Sequence, residues 1–455
     1  MFAQEYHVSE ALNKMVAGSL SRNCKSYIFV SMLIALFTLR LAYGLSMYFW
    51  KDDELQIFLL GLEFFSSGKW PFFGPDVVHT NQQIAGALQS ILVGGPLFVW
   101  NRPEAPYILL NVFSFAGLLV FGRWLSLRFK ELPPILIYSW LMTLPWTMNI
   151  STHLYNPGYL LFSSCLFFTG CFEVLPQFRT GIFGARGESI SWFLMGFALT
   201  WSMQIHLSWP LLMPFIGAAW ILTDARRGWR QPAWCAAGTL IPGALLVPTI
   251  VAYGPGSLIA PMAGNSGLNT RNLVEPLTIV ARFISFGSYE IPRFLTDVAH
   301  DRLPFLMARP WLLPLAAALS VVGVVQPLVI LYGVFARKTP AMLKWLLGLS
   351  LAWISVTFLM SSRPPTARNF FILFPVAAFA AAAGMRHLLV SARQRRIASG
   401  IVAGAIVYQG MFMASFAYDR SLYQDRARIV KAIESRSVSV LGERRQSQLS
   451  AAGSP

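Results

Sequence analysis

Charged residues are scarce in this sequence. They make up 12% of its 455 residues, whereas 55% are hydrophobic, and the mean hydropathy is +0.54. A soluble chain of this length would need far more charge to cover its surface, so the soluble globular class is excluded. Repeated apolar runs of about 20 residues are each long enough to cross roughly 30 Å of hydrocarbon. The sequence therefore predicts an all-α polytopic membrane protein.

Cysteine and acidic residues are also few. The four cysteines have no CxxC spacing, which argues against a disulfide framework or a cysteine-based metal site. The 36 basic residues outnumber the 20 acids and give a net charge of +16. In a membrane protein this excess is expected from the positive-inside rule, so it does not indicate nucleic acid. The polar first 25 residues show no cleavable signal peptide, and we expect the first span to be an uncleaved anchor.

Eleven apolar runs are predicted to span the membrane. They cover residues 26–49, 105–124, 133–150, 157–176, 190–206, 208–223, 233–253, 312–336, 341–361, 370–389 and 398–417. A further apolar segment, 82–100, contains three glutamines and a Gly-Gly-Pro break. If this segment crossed the membrane, the short arginine-rich loops that follow would all face outward, against the positive-inside rule. We therefore expect a re-entrant or interfacial helix there.

This topology predicts three parts: a cytoplasmic tail (1–25), a transmembrane domain (26–417) and a basic C-terminal tail (418–455). The outer face would carry the first outer loop (50–104), with two interfacial helices, and a long loop (254–311). Loops of that length are usually functional. We expect the inner (plasma) membrane as location, with these loops on its extracytoplasmic side. A cytoplasmic C-terminal tail would mean that one predicted span is wrong.

Three of the twenty acids, Asp52, Asp53 and Glu54, lie side by side directly after the first span. Asp53 and Gln56 form a capping-box-like pair, but a helix cap needs only one carboxylate, and three adjacent acids repel one another. The residues that follow are apolar at helical spacing and end in SSGKWPFFGP, which predicts an interfacial helix. Glu63 shares a stripe of that helix with Asp52 and Gln56. Carboxylates are thus predicted at the membrane surface.

This arrangement resembles the GT-C membrane glycosyltransferases, and more closely the protein O-mannosyltransferases and lipid A aminoarabinose transferases. The shared features are the first span, the acidic pair, the helix ending in SSGKWPFFGP and a second interfacial helix. The resemblance implies a GT-C-like bundle of about 11 transmembrane helices, a polyprenyl-phosphate sugar as donor, and a lipid, glycan or protein acceptor among membrane lipids. Asp53 and Glu54 match the family's Asp-Glu pair. In the family, the first acid of this pair is implicated in activating the acceptor.

The sequence departs from the family in two places. It reads VVHTNQQIAGAL where a His-Pro-Pro-Leu-like stretch is common, and STHLYNPGY where many members have a further acid. These departures leave the class of acceptor and any metal requirement open.

The implied reaction needs one base and a set of phosphate ligands. A lipid phosphate leaves without a proton at neutral pH, so one general base acting on the acceptor hydroxyl suffices. Asp53 is the candidate, with a pKa that Asp52 and Glu54 are expected to raise. Developing phosphate charge needs basic side chains on the same face. The candidates are the outer-face arginines, for each of which headgroup anchoring is the alternative: Arg363 and Arg368, then Arg282 and Arg293.

Other polar residues of the outer face are candidates for binding the acceptor or the sugar: Glu63, His79, His153 and Asn156. Asn156-Pro157 could instead cap the next span. His79, His153 and His206 could hold a divalent metal with a carboxylate, but their spacing follows no ligand pattern, so hydrogen-bonded interfacial histidines are the alternative. We assign no metal ligand and no certain cofactor.

Three other functions compete with transfer. A lipid-linked sugar transporter or flippase often has halves with matching broken spans and charges at the midplane, which this sequence lacks. A polysaccharide polymerase or ligase relies on a large outer loop and does not need acids after the first span. In a non-catalytic scaffold the three acids would serve no purpose. Separately, Arg40 lies alone within the first span, where it could snorkel or hold a carboxylate.

Overall fold

A computed structural model describes residues 26–46, 52–77, 82–223, 228–274, 276–289, 306–336, 339–362, 366–416, 422–439 and 441. Within these residues the regular structure is helical apart from one two-stranded sheet. The helices are α1 (Ser26–Ser46), α2 (Asp52–Ser67), α3 (Leu88–Val99), α4 (Glu104–Arg128), α5 (Pro134–Thr143), α6 (Pro145–Ser151), α7 (Asn156–Val174), α8 (Gly187–Met203), α9 (Trp209–Leu222), α10 (Arg230–Gly243), α11 (Val247–Tyr253), α12 (Ala260–Asn265), α13 (Pro276–Ser285), α14 (Pro310–Phe335), α15 (Ala341–Leu359), α16 (Ala367–Leu388), α17 (Ala392–Phe416) and α18 (Leu422–Glu434). The strands are β1 (Phe73–Asp76) and β2 (Gln83–Ala85).

Seven helices of the described chain are long and apolar enough to span a membrane: α1, α4, α7, α14, α15, α16 and α17. The consecutive helices α10 and α11 form an eighth candidate, a span bent by 72°. Pro242 lies inside α10 and Pro248 in the first turn of α11, and prolines remove the backbone hydrogen bonds that keep a helix straight. The chain is an all-α polytopic membrane protein, as predicted.

The other three predicted spans contain shorter helices. The segment 133–150 is divided at Leu144 into α5, of 10 residues, and α6, of 7 residues. Leu144 is extended (φ −57°, ψ 134°) because the ring of a following proline disfavours the helical conformation. The segments 190–206 and 208–223 correspond to α8, with 17 residues, and α9. Apolar run length therefore overestimates continuous helix length where prolines interrupt the run.

The first outer loop contains α2, the sheet and α3. The two helices pack side by side and run in the same direction, since Gly61 faces Gly94 and the Phe65 ring contacts Phe98. A Cβ at position 94 would collide with the carbonyl oxygen of Gly61, so glycine is needed for this close approach. At 12 residues, α3 is about 18 Å long, too short to cross a bilayer. Its orientation relative to the membrane stays a prediction.

A small β-hairpin connects α2 to α3, and the sequence pattern did not predict it. Strands β1 and β2 are antiparallel, with Asp76 opposite Gln83. The Asp76 carboxylate accepts hydrogen bonds from the amide of Gln56 on α2 and, at 2.8 Å, from the amide of Gln83. The Thr249 hydroxyl of α11 donates to the carbonyl oxygen of Phe72 at 2.6 Å. The hairpin is therefore fastened both to α2 and to α11.

Arg40 is fully buried in α1. Its guanidinium donates to the carbonyl oxygen of Met142 at 2.9 Å, to that of Thr147 at 3.3 Å and to the hydroxyl of Ser151 at 2.7 Å. Carbonyl and hydroxyl oxygens near the α5–α6 break therefore hold this charge inside the bundle. Of the two expectations from the sequence, snorkelling is wrong, and no carboxylate contacts the guanidinium in the described part of the chain.

The described part of the long outer loop is anchored on the end of α15. The Asn272 side chain donates to the carbonyl oxygens of Phe358, at 2.8 Å, and Ser361, at 3.2 Å. After this anchor, α13 packs against α14, α15 and the first turn of α16. These contacts fix the position of the turn that carries Arg368.

Candidate active site

The acidic cluster opens α2. Asp53 lies in the first turn, where a carboxylate complements the helix dipole. Its Oδ2 atom is 3.7 Å from Nη1 of Arg368, in the first turn of α16, and the two side chains are 48% and 54% exposed. An exposed ion pair contributes only about 0–1 kcal/mol to stability, so the fold does not depend on this contact. The fold thus brings the predicted base and a predicted phosphate ligand together across 315 residues of sequence and leaves both accessible.

A further titratable group, His206, is affected by the charge of Arg368. It lies in the turn between α8 and α9, where its Nδ1 atom accepts a hydrogen bond from the backbone N–H of Ser208 at 3.1 Å. In the neutral ring this bond leaves the proton on Nε2. Burial and, second, the positive charge of Arg368 lower the pKa of His206 to about 4. The ring is therefore neutral at neutral pH, and Arg368 provides the positive charge.

Two of the predicted acceptor ligands lie around the turn between α6 and α7. The Nδ1 atom of His153 is 3.0 Å from the carbonyl oxygen of Asn149, and its ring lies edge-on to Tyr43 on α1. The first turn of α7 begins with Asn156 and contacts α2. No side-chain capping bond forms at this helix start, and within the described residues the buried Oδ1 atom of Asn156 has no hydrogen-bond partner. The fold thus leaves this oxygen unused within the described residues.

Other predicted site residues lie apart or cannot be placed. Glu63 is exposed and ten residues beyond Asp53, about 15 Å further along α2 at 1.5 Å per residue. Arg282 is on α13, which packs against the turn bearing Arg368, and it is partly buried. Glu54 is partly buried beside Asp53. Four predicted site residues cannot be placed. Arg363, Arg293 and His79 are outside the described residues, and the side chain of Asp52 is not described.

Sequence reasoning did not assign a role to several polar residues in and around the β-hairpin, which is bonded to α2 through Gln56. They are Gln89, Ser90, Gln204 and Asp76. The glutamines of segment 82–100 were an available signal, because polar side chains are unexpected in an apolar run. In the described part of the chain, no group of three or more histidine, cysteine or acidic side chains is arranged to hold a metal ion.

No protein-family model and no curated protein matches the sequence. Among solved structures, ArnT from Cupriavidus metallidurans in the apo state matches with a TM-score of 0.50 and 11% identity, over 87% of this chain and 76% of ArnT. ArnT is a lipid A aminoarabinose transferase with the GT-C fold. This chain has a GT-C fold as well.

ArnT from the same organism bound to undecaprenyl phosphate matches with a TM-score of 0.48 and 13% identity, over 86% of this chain and 76% of that chain. At such identities a structural match establishes the GT-C fold alone. The match to the apo structure, with its TM-score of 0.50, confirms the predicted resemblance to a GT-C fold.

Proposed function

We propose that this protein is a membrane glycosyltransferase. It transfers a sugar from a polyprenyl-phosphate donor to a hydroxyl group of a lipid, glycan or protein, at the extracytoplasmic face of the inner membrane. The observation that carries the proposal is the 3.7 Å approach of Asp53 and Arg368. On a GT-C fold, this pair joins an acid at the start of the first outer helix with a cation suited to a phosphate.

In the proposed reaction the acceptor oxygen forms a bond to the anomeric carbon of the sugar. The bond between that carbon and the phosphate oxygen breaks, and its electrons remain on the polyprenyl phosphate. Asp53 takes the proton of the acceptor hydroxyl as general base. Arg368 stabilises the charge that develops on the leaving phosphate. At 3.7 Å its guanidinium contacts Asp53 directly, so the ion pair must open to admit the sugar, and both side chains are exposed enough to move apart. Arg282 is the proposed second phosphate ligand, and the packing of α13 against the turn that carries Arg368 supports this role.

The test is sugar transfer in reconstituted vesicles with radiolabelled polyprenyl-phosphate sugars. We expect Asp53→Asn to lower kcat by about 10²- to 10⁴-fold while donor binding is retained, because general base catalysis contributes about that much. Arg368→Gln should raise the KM for the donor and also lower kcat, since the guanidinium binds the phosphate in both the ground and transition states. Glu131→Gln and Arg393→Gln are the charge-matched controls, because both residues are exposed on the face predicted to be opposite, Glu131 in a loop and Arg393 in the first turn of α17.

Three outcomes would contradict the proposal. Unchanged transfer by Asp53→Asn would reduce the acid to a helix cap. Equal losses in the two control variants would show that the charge changes act through folding. A native protein that transfers no sugar, but moves the intact donor across the bilayer, would be a transporter.

A further inference from the structure

The packing of α2 against α3 and the β-hairpin brings a group of neutral polar side chains to the end of α2 that carries Asp53. The contacts at Gly61 and Phe65 align α2 with α3 at a constant offset of 33 residues. Because the two helices run in the same direction, the start of α3 lies at the same end of this helix pair as the start of α2, which carries Asp53.

The hairpin and the α8–α9 turn support this placement independently. A Cβ on Gly74 in β1 would lie 3.8 Å from the Cβ of Gln89 and 3.8 Å from the carbonyl oxygen of Gln204. Gly86 has φ +117°, and a Cβ there would lie 2.5 Å from Oε1 of Gln204, so only glycine fits. Gln204 is two residues before His206, whose pKa responds to Arg368. Gln89 and Gln204 thus both lie against Gly74 of β1, and Asp76 of the same strand is bonded to Gln56, one turn of α2 beyond Asp53.

These buried side chains keep hydrogen-bonding capacity that the described chain does not use. Gln89 is 0% exposed, and neither its Oε1 nor its Nε2 atom has a partner within the described residues. The Ser90 hydroxyl and Oε1 of Gln204 also have no hydrogen-bond partner within the described residues. Nε2 of Gln204 donates to the carbonyl oxygen of Pro242 at 2.7 Å. Leaving a buried polar atom unpaired is destabilising, and each such atom in a native protein calls for an explanation.

We propose that Gln89, Ser90 and Gln204 form a recognition site for the hydroxyl groups of an uncharged sugar ring. This inference rests on the proposed function and specifies its donor. An amide and a hydroxyl both donate and accept hydrogen bonds, as sugar hydroxyls do, whereas a charged sugar requires a counter-charge. The nearby carboxylate of Asp76 is already engaged by Gln56 and Gln83. Sites that hydrogen-bond a substrate hydroxyl discriminate strongly against analogues without it.

The test compares Tm with the rate of sugar transfer in the variant Gln89→Leu, because the two are expected to respond differently. Gln89→Leu replaces an unpaired buried amide by an apolar group of similar size, so Tm should stay the same or rise. Transfer should nevertheless fall at least about 10-fold, because a sugar hydroxyl loses its partner. If Gln89 served only the fold, Tm would fall and the transfer rate per folded molecule would not change.

Two serines provide a matched pair. Ser90 and Ser191 are both fully buried in helices, and neither hydroxyl has a partner within the described residues. Ser191 lies in the N-terminal half of α8, about 18 Å at 1.5 Å per residue from the C-terminal end that precedes Gln204. Both Ser90→Ala and Ser191→Ala should preserve Tm, and only Ser90→Ala should lower transfer.

The experiment compares donors as well as variants. Purified full-length protein in vesicles is given polyprenyl-phosphate hexose, polyprenyl-phosphate uronic acid and polyprenyl-phosphate aminopentose, and kcat/KM, Tm and the donor-induced rise in Tm are measured. We expect kcat/KM to be at least about 10-fold higher for the neutral hexose, since a charged ring would lie among unpaired neutral dipoles. We also expect a smaller donor-induced rise in Gln89→Leu than in the native protein.

A native protein that prefers either charged sugar overturns the inferred substrate class. Equal transfer by the native protein and Gln89→Leu overturns the recognition site while the proposed function stands. If the native protein transfers none of the sugars, the proposed function fails. If there is no transfer, donor binding still tests the recognition site. An equal donor-induced rise in Tm for the native protein and Gln89→Leu would then overturn that site as well.

Discussion

At the scale of single residues, Arg368 has two opposite effects on its neighbours. Its charge attracts the carboxylate of Asp53, and the same charge disfavours a proton on His206. Neither side chain of the ion pair is deeply buried, so the contact contributes little to folding. The fold therefore does not require this contact, which leaves both side chains available for the proposed reaction.

The lowered pKa of His206 predicts a dependence of stability on pH. Between about pH 6.5 and pH 4 the unfolded chain binds a proton on His206 and the native chain does not. Protons then favour unfolding, so Tm should fall as the pH is lowered through this window and lose this dependence below it. His206→Asn should remove this part of the decline. Tryptophan fluorescence melts between pH 4 and pH 8 measure it.

Variants of Arg368 separate the two causes that lower the pKa of His206, which are burial and the charge of Arg368. Arg368→Gln removes the charge and should raise the pKa of His206, which makes the decline in Tm smaller. Arg368→Lys keeps the charge and should leave the decline close to that of the native protein. If all three proteins lost the same Tm between pH 6.5 and pH 4, Arg368 would not influence His206.

At the scale of elements, α18 is fastened to the first outer loop. The Nε atom of Arg426 is 2.7 Å from Oε1 of Glu104 at the start of α4, and the Glu104 side chain is only 11% exposed. A second pair, Arg102 and Glu434, is separated by 3.6 Å, with side chains 43% and 58% exposed. The Arg436 guanidinium lies 5.0 Å from the centre of the Phe65 ring on α2. The tail helix therefore lies on the same face as α2.

The two ion pairs should differ in strength, and double-mutant cycles with glutamine at each position measure the difference. Hydrogen bonds to charged groups contribute about 1.5–3 kcal/mol, so the cycle for Glu104 and Arg426 should give a coupling free energy of about 1–2 kcal/mol because Arg426 is partly exposed. The cycle for Arg102 and Glu434 should give about 0–1 kcal/mol. Equal coupling free energies would show that burial of Glu104 does not strengthen its pair.

The elements were predictable to different degrees for physical reasons. Apolar run length and charge bias identified the long helices, because hydrocarbon thickness and membrane insertion act on local sequence. The break at Leu144 follows from a single X-Pro step, which a window average conceals. The β-hairpin depends on bonds from Gln56 and Thr249 on other elements, so its own sequence does not specify it.

The site was predictable in the same uneven way. Arg368 was chosen because an arginine on the outer face is an exception to the positive-inside rule. Its contact with Asp53 depends on the packing of α2 and α16, which the local sequence does not contain. Gln89 and Gln204 were not assigned because a polar side chain at the end of an apolar run does not by itself indicate a binding site. What distinguishes them is burial without partners, and burial is known only from the fold.

At the scale of the whole molecule, the fold constrains the topology of the chain. Because α18 contacts the start of α4, and Arg436, two residues after α18, contacts α2, the tail helix and the first outer loop must be on one side of the membrane. The positive-inside rule predicts that the loops containing Glu131 and Ser391 are on the other side. The fold therefore determines which segments lie together, and charge bias predicts which side is outside.

Single-cysteine labelling tests both statements in a background without the four native cysteines. Ser67, Ser435, Glu131 and Ser391 are exposed and suit replacement by cysteine. In intact cells a membrane-impermeant maleimide should label positions 67 and 435, and positions 131 and 391 should react only after permeabilisation. Opposite behaviour of positions 67 and 435 would contradict the packing of α18 on the first outer loop. Labelling of only 131 and 391 would place Asp53 and Arg368 on the cytoplasmic face, where an extracytoplasmic transfer reaction could not occur.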